Sequence, residues 1–309
     1  LSLEIIKGIK NYSAEKSGVV ATIGTFDGIH LGHQSILREL SLSASRKKSG
    51  ALAITFEPHP RVLVTPDSPP PLLTCINEKA RLLSEYLDGT LLVIEFNKQL
   101  MNLTAEEFTK YYLIDELNIN KLVVGYDHAF GKDRSGTIND LMGLSRKYSF
   151  DLQIVDPVIV DGRPISSTRI RHVIAENNLS PAVELLGHPY IIAGKVKKGI
   201  GLGAKIGFPT ANLEYSPRKL LPEDGVYSCL AEYNGRKYDG MMFIGKNYFN
   251  PAAGKSVEVN IFDFKENVYD EELFCYPGVF IRKGRKFGNE EELVKQLRED
   301  KKSVLMLKE

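Results

Sequence analysis

The chain reads as an α/β domain built on a Rossmann-like parallel sheet, followed by a mainly antiparallel β-barrel domain that ends in a helix. Three observations predict this. From Val19 to Val155, apolar runs rich in β-branched residues alternate with amphipathic stretches, which is the pattern of βαβ units. Beyond Gly187-His188-Pro189 the helical stretches give way to five or six strand-like runs separated by turn residues. A last amphipathic segment, 290–299, returns to helical spacing. With 309 residues and 43% hydrophobic content, the chain is long enough for two cores, and the change of pattern puts the boundary near residue 186, giving domains 1–186 and 187–309.

The first predicted strand, Gly18-Val19-Val20-Ala21-Thr22-Ile23, is apolar throughout, as a strand covered on both faces requires. It opens into Gly24-Thr25-Phe26-Asp27-Gly28-Ile29-His30-Leu31-Gly32-His33, and a helix is expected over 32–48. Further strands are expected over 51–56, 91–96, 121–125 and 152–155, with helices over 77–87 and 104–117 between them. The second of these starts Thr104-Ala105-Glu106-Glu107, in which hydroxyl and carboxylate would satisfy free amides reciprocally. Short helices over 168–176 and 180–186 close the domain. In the second domain the strand-like runs include 190–196, 226–233, 238–244, 257–264 and 273–281.

Composition limits the partners. Forty Lys and Arg against 39 Asp and Glu leave a net charge of +1, so nothing favours nucleic acid and any phosphate binding must be local. Cys75, Cys229 and Cys275 match neither a zinc spacing nor a disulfide framework and read as inert thiols in a reducing cytoplasm. No apolar run reaches the ~18 residues of a membrane span, and the start of the chain lacks a basic region followed by an apolar one. A soluble, cytoplasmic protein with small-molecule partners is expected, of undetermined oligomeric state.

The segment 24–33 carries the first chemistry. Its glycines, Gly24 and Gly28 among them, allow the backbone to bend and approach a ligand, while Phe26 and Asp27 complete the turn. The helix behind it aims amide groups at the same spot, where negative charge is favoured. His30 and His33 can donate hydrogen bonds to charge developing on a phosphorus-bound oxygen. A strand-to-helix turn with incidental histidines is the bland alternative for any one residue. The stretch Gly24–Gln34 resembles the HxGH motif of nucleotidyltransferases, and in this version resembles the bacterial bifunctional riboflavin kinase/FAD synthetase family. The histidines are shared across the superfamily, so later segments must identify the substrate.

Three of them belong to the same domain. Thr55-Phe56-Glu57-Pro58-His59-Pro60-Arg61 resembles the family's PHP loop bordering nucleotide and flavin, which implies a contact from His59. Val124-Gly125-Tyr126-Asp127-His128-Ala129 resembles the loop around adenine and ribose, with Asp127 where many relatives have Asn and Ala129 where Arg is common. Ser166-Ser167-Thr168-Arg169-Ile170-Arg171 combines helix-capping hydroxyls with arginines one turn on. It is similar to the family's SSTxxR signature, which implies phosphate contacts from Ser167, Thr168 and Arg171. The implied reaction is attack by the FMN phosphate on the α-phosphorus of ATP with loss of pyrophosphate. His30, His33 and Arg171 would be the catalytic groups, Mg2+ would bridge phosphate oxygens, and Asp27 would help position metal or phosphate, or simply stabilise the turn.

In the second domain, Gly199-Ile200-Gly201-Leu202-Gly203-Ala204-Lys205-Ile206-Gly207-Phe208-Pro209-Thr210-Ala211-Asn212 pairs a glycine-rich turn with two oxygen-bearing side chains suited to a hard cation. It resembles the GFPTAN motif of riboflavin kinases, which implies that Thr210 and Asn212 bind Mg2+ and that Gly201 and Gly203 face ATP phosphates. In Val257-Glu258-Val259-Asn260-Ile261, alternation puts Glu258 and Asn260 on one face. By resemblance Glu258 is the catalytic base. Departures from the family occur at Lys246–Asn250, at Tyr269-Asp270 in place of Tyr-Gly, and at Asn260 in place of His. The whole pattern implies an enzyme that makes FMN from riboflavin and ATP, then FAD from FMN and ATP. An FAD synthetase with an impaired kinase domain and a non-catalytic flavin-binding regulatory module remain as alternatives.

Overall fold

Leu3–Lys7 (β1) lies at the edge of a six-stranded parallel sheet whose other strands are Val19–Ile23 (β2), Ala51–Glu57 (β3), Gly89–Glu95 (β4), Ile119–Gly125 (β5) and Asp151–Val155 (β6). Their order is β1-β4-β3-β2-β5-β6. The computed structural model describes residues 2–132, 135–176, 179–199, 201–246 and 255–307. All five residues of β2 are buried, because layers of side chains cover both faces of a central parallel strand. The core includes Val19, Ala21 and Ile23 with Leu52, Ile54, Leu92, Leu122 and Val124. Each valine, leucine or isoleucine among them, withdrawn from water, contributes roughly 1.5–3 kcal/mol.

The helical elements of this region are Leu31–Lys47 (α1), Arg61–Val64 (α2), Ile76–Leu83 (α3), Lys98–Met101 (α4), Ala105–Phe108 (α5) and Ile138–Tyr148 (α6). A two-strand hairpin, Ile159–Val160 (β7) with Arg163–Pro164 (β8), precedes Ser167–Ala175 (α7) and Leu179–Leu186 (α8). Chain order places β3 and β4 to one side of β2, and β5 and β6 to the other. The order therefore reverses between β2 and β5, and sheets of this kind bind ligands beyond the strand ends at that reversal.

Several boundaries differ from expectation for local reasons. The expected helix over 104–117 starts with the anticipated capping box, Thr104 with Glu107, but becomes a π-helix over Thr109–Glu116. The buried Thr109 hydroxyl bonds to the Ala105 carbonyl at 2.8 Å where the change occurs, and apolar spacing does not separate the two helix types. The edge strand β1 was not anticipated, since three of its five side chains are exposed and an edge position imposes no apolar pattern.

By compactness the chain divides into two units: residues up to Pro71 together with Lys79–Ser167, and Leu72–Glu78 together with Thr168 onward. The second unit contains a closed antiparallel barrel of Ile192–Lys197 (β9), Ala211–Glu214 (β10), Gly225–Tyr233 (β11), Arg236–Lys246 (β12), Lys255–Ile261 (β13) and Glu272–Lys283 (β14), in the order β10-β13-β12-β11-β14-β9. Leu202–Lys205 (α9) is a single turn inside the glycine-rich segment, and Glu290–Met306 (α10) follows the barrel.

Helix α10 runs seven residues beyond the expected end. The polar Asp300, which resembles a helix exit in sequence, is buried and takes a two-pronged bond from Arg282 of β14, Nε to Oδ1 at 2.8 Å and Nη2 to Oδ2 at 2.7 Å. The outlying segment Leu72–Glu78 is held to the barrel unit through Glu78. Its carboxylate accepts from Lys219 Nζ at 2.8 Å, from Ala193 N at 2.7 Å and from Cys75 N at 2.7 Å, and Lys219 also lies over the Tyr190 ring.

Candidate active sites

The loop from Gly24 to His30 leaves the carboxyl end of β2, at the point where strand order reverses. Its backbone is strained: Phe26, Gly28 and Ile29 have φ of 46°, 92° and 41°. For phenylalanine and isoleucine this left-handed region is costly, and such strain is retained where the surroundings hold it and function uses it. Those surroundings are visible. Phe26 and Ile29 are buried, Gln34 Nε2 donates to the Ile29 carbonyl at 2.9 Å, and the Ser167 hydroxyl donates to the Asp27 carbonyl at 2.8 Å. A Cβ at Gly24 would press on the Phe26 ring at 3.2 Å, so this glycine makes room for the turn.

His30 caps α1, its Nδ1 accepting from His33 N at 3.4 Å. An accepting Nδ1 leaves the proton of the neutral ring on Nε2. The His33 ring stacks on His30 at 3.7 Å between centroids and meets Phe26 edge-on at 5.4 Å. Burial pushes the His33 imidazole well below its ordinary pKa, with His30 and Lys79 acting in the same direction. Its Nδ1 is buried without a hydrogen-bond partner, as suits a polar atom awaiting a ligand.

The remaining first-domain residues are distributed around the strand ends. Asp127 is exposed just beyond β5, across the strand reversal from β2. His59, partly buried in the loop after β3, accepts at Nδ1 from Arg61 N at 3.1 Å. Ser167 opens α7 and is tied to Asp27; Thr168, Arg169 and Arg171 follow on the same helix, within the second compact unit.

In the barrel, the glycine-rich segment is shaped by what a side chain would strike. A Cβ on Gly203 would collide with the Phe208 carbonyl and sit 3.3 Å from Thr210 Oγ1; one on Gly199 would collide with the Asn212 amide. Gly201 and Gly207 adopt φ of 75° and 82°. Ile200 lies outside the described residues. Asn212 of β10 pairs directly with Glu258 of β13, so their side chains share one face of the barrel wall. Asn260, on the same face two residues on, donates from Nδ2 to the Pro209 carbonyl at 2.7 Å and thereby holds the turn before Thr210.

Burial raises the Glu258 carboxyl above its ordinary pKa, opposed in part by a hydrogen bond from Ser256 Oγ at 3.3 Å. Among the described residues no cluster of three or more His, Cys, Asp or Glu is arranged to hold a metal ion. A cation here would rely on the neutral oxygens of Thr210 and Asn212 together with phosphate oxygens, a donor set that fits Mg2+.

The family departures have local explanations. Asp270 stands at φ 62°, a conformation open to glycine and tolerated by aspartate, and its carboxylate binds Lys197 Nζ at 2.9 Å. Of the Lys246–Asn250 departure, Lys246 ends β12 and the rest lies outside the described residues. Lys79 and Thr55, which lie beneath the first loop, were not anticipated. The available signal was Lys79 itself, a charged residue on the apolar face that Ile76, Ala80 and Leu83 define.

Comparison with known proteins shows the family. Residues 12–169 match the family model for FAD synthetase, and 186–307 match that for riboflavin kinase. A bifunctional riboflavin kinase/FMN adenylyltransferase from Buchnera aphidicola subsp. Acyrthosiphon pisum is 36% identical over 96% of both chains. One of the same description from Escherichia coli K12 is 34% identical, again over 96% of each. A crystal structure from Streptococcus pneumoniae, described as a macrolide-efflux protein, superposes with a TM-score of 0.79 at 34% identity and 98% coverage of both chains. The efflux description belongs to that protein; among the described residues here no helix is long and apolar enough to cross a membrane. With both domain types present in order and similarity along nearly its whole length, the chain belongs to the bifunctional riboflavin kinase/FMN adenylyltransferase family, whose substrates and products are ATP, riboflavin, FMN and FAD.

Proposed function

We propose that the two reactions use separate residue sets, adenylyl transfer the loop 24–33 with α7, and phosphorylation the face shared by Thr210, Asn212 and Glu258. The observation that carries this reading is the pairing of Asn212 with Glu258 across β10 and β13, far in sequence from the stacked His30–His33 pair. We assign residues 1–186 to FMN adenylylation and 187–309 to riboflavin phosphorylation, and the three free cysteines suit a cytoplasmic setting.

In adenylyl transfer the FMN phosphate attacks the α-phosphorus of ATP and pyrophosphate leaves. The nucleophile is already an anion, so positioning and charge stabilisation dominate. His30 and His33 donate hydrogen bonds to the oxygens on which charge grows. His33 does so as a neutral imidazole, so positive charge must come from other side chains: Arg171 holds ATP phosphates with Ser167 and Thr168. Gly24, Phe26, Asp27 and Gly28 shape the phosphate approach, while His59 and Asp127 border the nucleotide.

In phosphorylation Glu258 accepts the proton of the ribityl hydroxyl, whose oxygen attacks the γ-phosphorus and releases ADP. A carboxyl with its pKa raised by burial is the stronger base. Gly201 and Gly203 keep the turn clear for phosphates, and Thr210 and Asn212 are the residues that would hold Mg2+. When bound, that ion would neutralise phosphate charge, which the neutral oxygens of Thr210 and Asn212 do not.

The test is incubation with riboflavin and Mg-ATP, separating FMN from FAD over time, with a parallel chelator arm. FMN should appear first, then FAD, and neither in excess chelator. Undiminished FMN formation without divalent cation would contradict the roles given to Thr210 and Asn212.

A further inference from the structure

Lys79, on α3, is the one buried lysine or arginine among the described residues of the first unit, 4% exposed. Its Nζ donates to Thr55 Oγ1 at 3.1 Å, and that hydroxyl, wholly buried at the carboxyl end of β3, donates its own hydrogen to the Thr25 carbonyl at 3.2 Å. Thr25 is the second residue of the strained loop that ends at the His30 cap. The relay therefore ties a charged helix residue to the backbone between β2 and α1, two residues before the Asp27 carbonyl that Ser167 holds.

Burying an ammonium is expensive, and a methionine would occupy the same volume without that cost. A charge kept in such a place implies use of the charge. We propose that Lys79 is a positioning residue for FMN adenylylation: through Thr55 it fixes the Thr25 carbonyl, and its ammonium supplies fixed positive charge beneath the loop that carries His30 and His33. This rests on the assignment of that loop to adenylyl transfer.

Two consequences separate this role from packing. The positive charge of Lys79 acts on His33 in the direction that keeps that imidazole neutral, after burial and His30, so Lys79 helps keep His33 a hydrogen-bond donor without a charge of its own. It also makes the loop electropositive before any nucleotide arrives, so that the reaction need not reorganise it. The ammonium acts through Thr55 and through its field.

The experiment uses the full-length protein and compares Lys79→Met, Lys79→Arg, Thr55→Val and His30→Ala. FMN adenylylation is measured for kcat and for KM of FMN, riboflavin phosphorylation serves as the control, and the His33 ring is titrated by NMR. Lys79→Met should lower adenylylation kcat by at least about tenfold with little change in KM for FMN, and riboflavin phosphorylation should persist. In the same variant His33 should titrate at higher pH, whereas Lys79→Arg should keep the wild-type titration and recover most of the rate. Thr55→Val retains the ammonium and should lower kcat by about threefold or more, which tests the relay even if the methionine variant does not fold. Wild-type kcat in folded Lys79→Met overturns the proposal. So does equal loss in the Met and Arg variants with His33 titrating as in the wild type, which is the signature of packing alone. Loss in His30→Ala with full activity in Lys79→Met removes only this proposal; full activity in both removes the site assignment as well.

Discussion

Glu258 concentrates the kinase proposal in one carboxyl group. A buried base and a merely structural carboxylate make different demands, and Glu258→Gln separates them by keeping shape and hydrogen bonding while removing basicity. Riboflavin phosphorylation should fall by roughly 100-fold or more. FAD synthesis from supplied FMN should persist, since that nucleophile needs no deprotonation. Near wild-type turnover of the folded variant at saturating riboflavin and Mg-ATP would exclude Glu258 as the base. The same residue sets a pH dependence. Burial raises its pKa, and the base must be ionised to act, so kinase kcat should decline as pH falls through a value above the ordinary carboxylate range. An acid limb at or below that range would contradict the assignment.

Elements place these residues, and two of them make measurable commitments. The turn of α9 brings Gly203 against the Phe208 carbonyl, where no Cβ fits and backbone cannot yield cheaply. Gly203→Ala should therefore displace Thr210 and lower kinase activity by roughly 10–100-fold while sparing FAD synthesis, as separate assays of the two reactions will register. The segment Leu72–Glu78 depends on a wholly buried ion pair, Glu78 with Lys219. Glu78→Leu leaves the ammonium unpaired and should cost about 3–5 kcal/mol in chemical denaturation of the barrel unit, whereas adding Lys219→Met should restore much of it. Equal stability of the single and double variants would refute a role for the charge pair. Both features also show what the sequence could disclose. The two glycine-rich turns, the strands of the parallel sheet and the face shared by Glu258 and Asn260 were legible, because glycine pattern and side-chain alternation are local. The closing of the barrel by β10, the burial of Lys79, Glu78 and Asp300, and the allotment of Leu72–Glu78 to the barrel unit were not. Each depends on a partner distant in sequence, which for the three charged residues reverses the usual meaning of charge.

At the scale of the molecule, a chain of net charge +1 has no overall field to gather triphosphates, so phosphate binding must be local to each site. The base proposed for one reaction and the histidines proposed for the other lie in different compact units, each with its own hydrophobic core. On the proposed assignment neither reaction uses the other's side chains, although Thr168 and Arg171 of the adenylylation set lie in the same compact unit as Glu258. His30→Ala should accordingly accumulate FMN from riboflavin with little FAD, the mirror image of Glu258→Gln. The sharper consequence is complementation. FMN is a discrete product of the first reaction and a discrete substrate of the second, so FMN released by one molecule can serve another. A mixture of the His30→Ala and Glu258→Gln proteins, given only riboflavin and Mg-ATP, should form FAD at a rate that neither variant reaches alone. That rate should rise with the concentration of both proteins, since the intermediate must cross solution, and added FMN should shorten the lag. A mixture that makes FMN but no FAD would show that the second reaction accepts FMN only from its own chain, and the independence of the two residue sets would be lost.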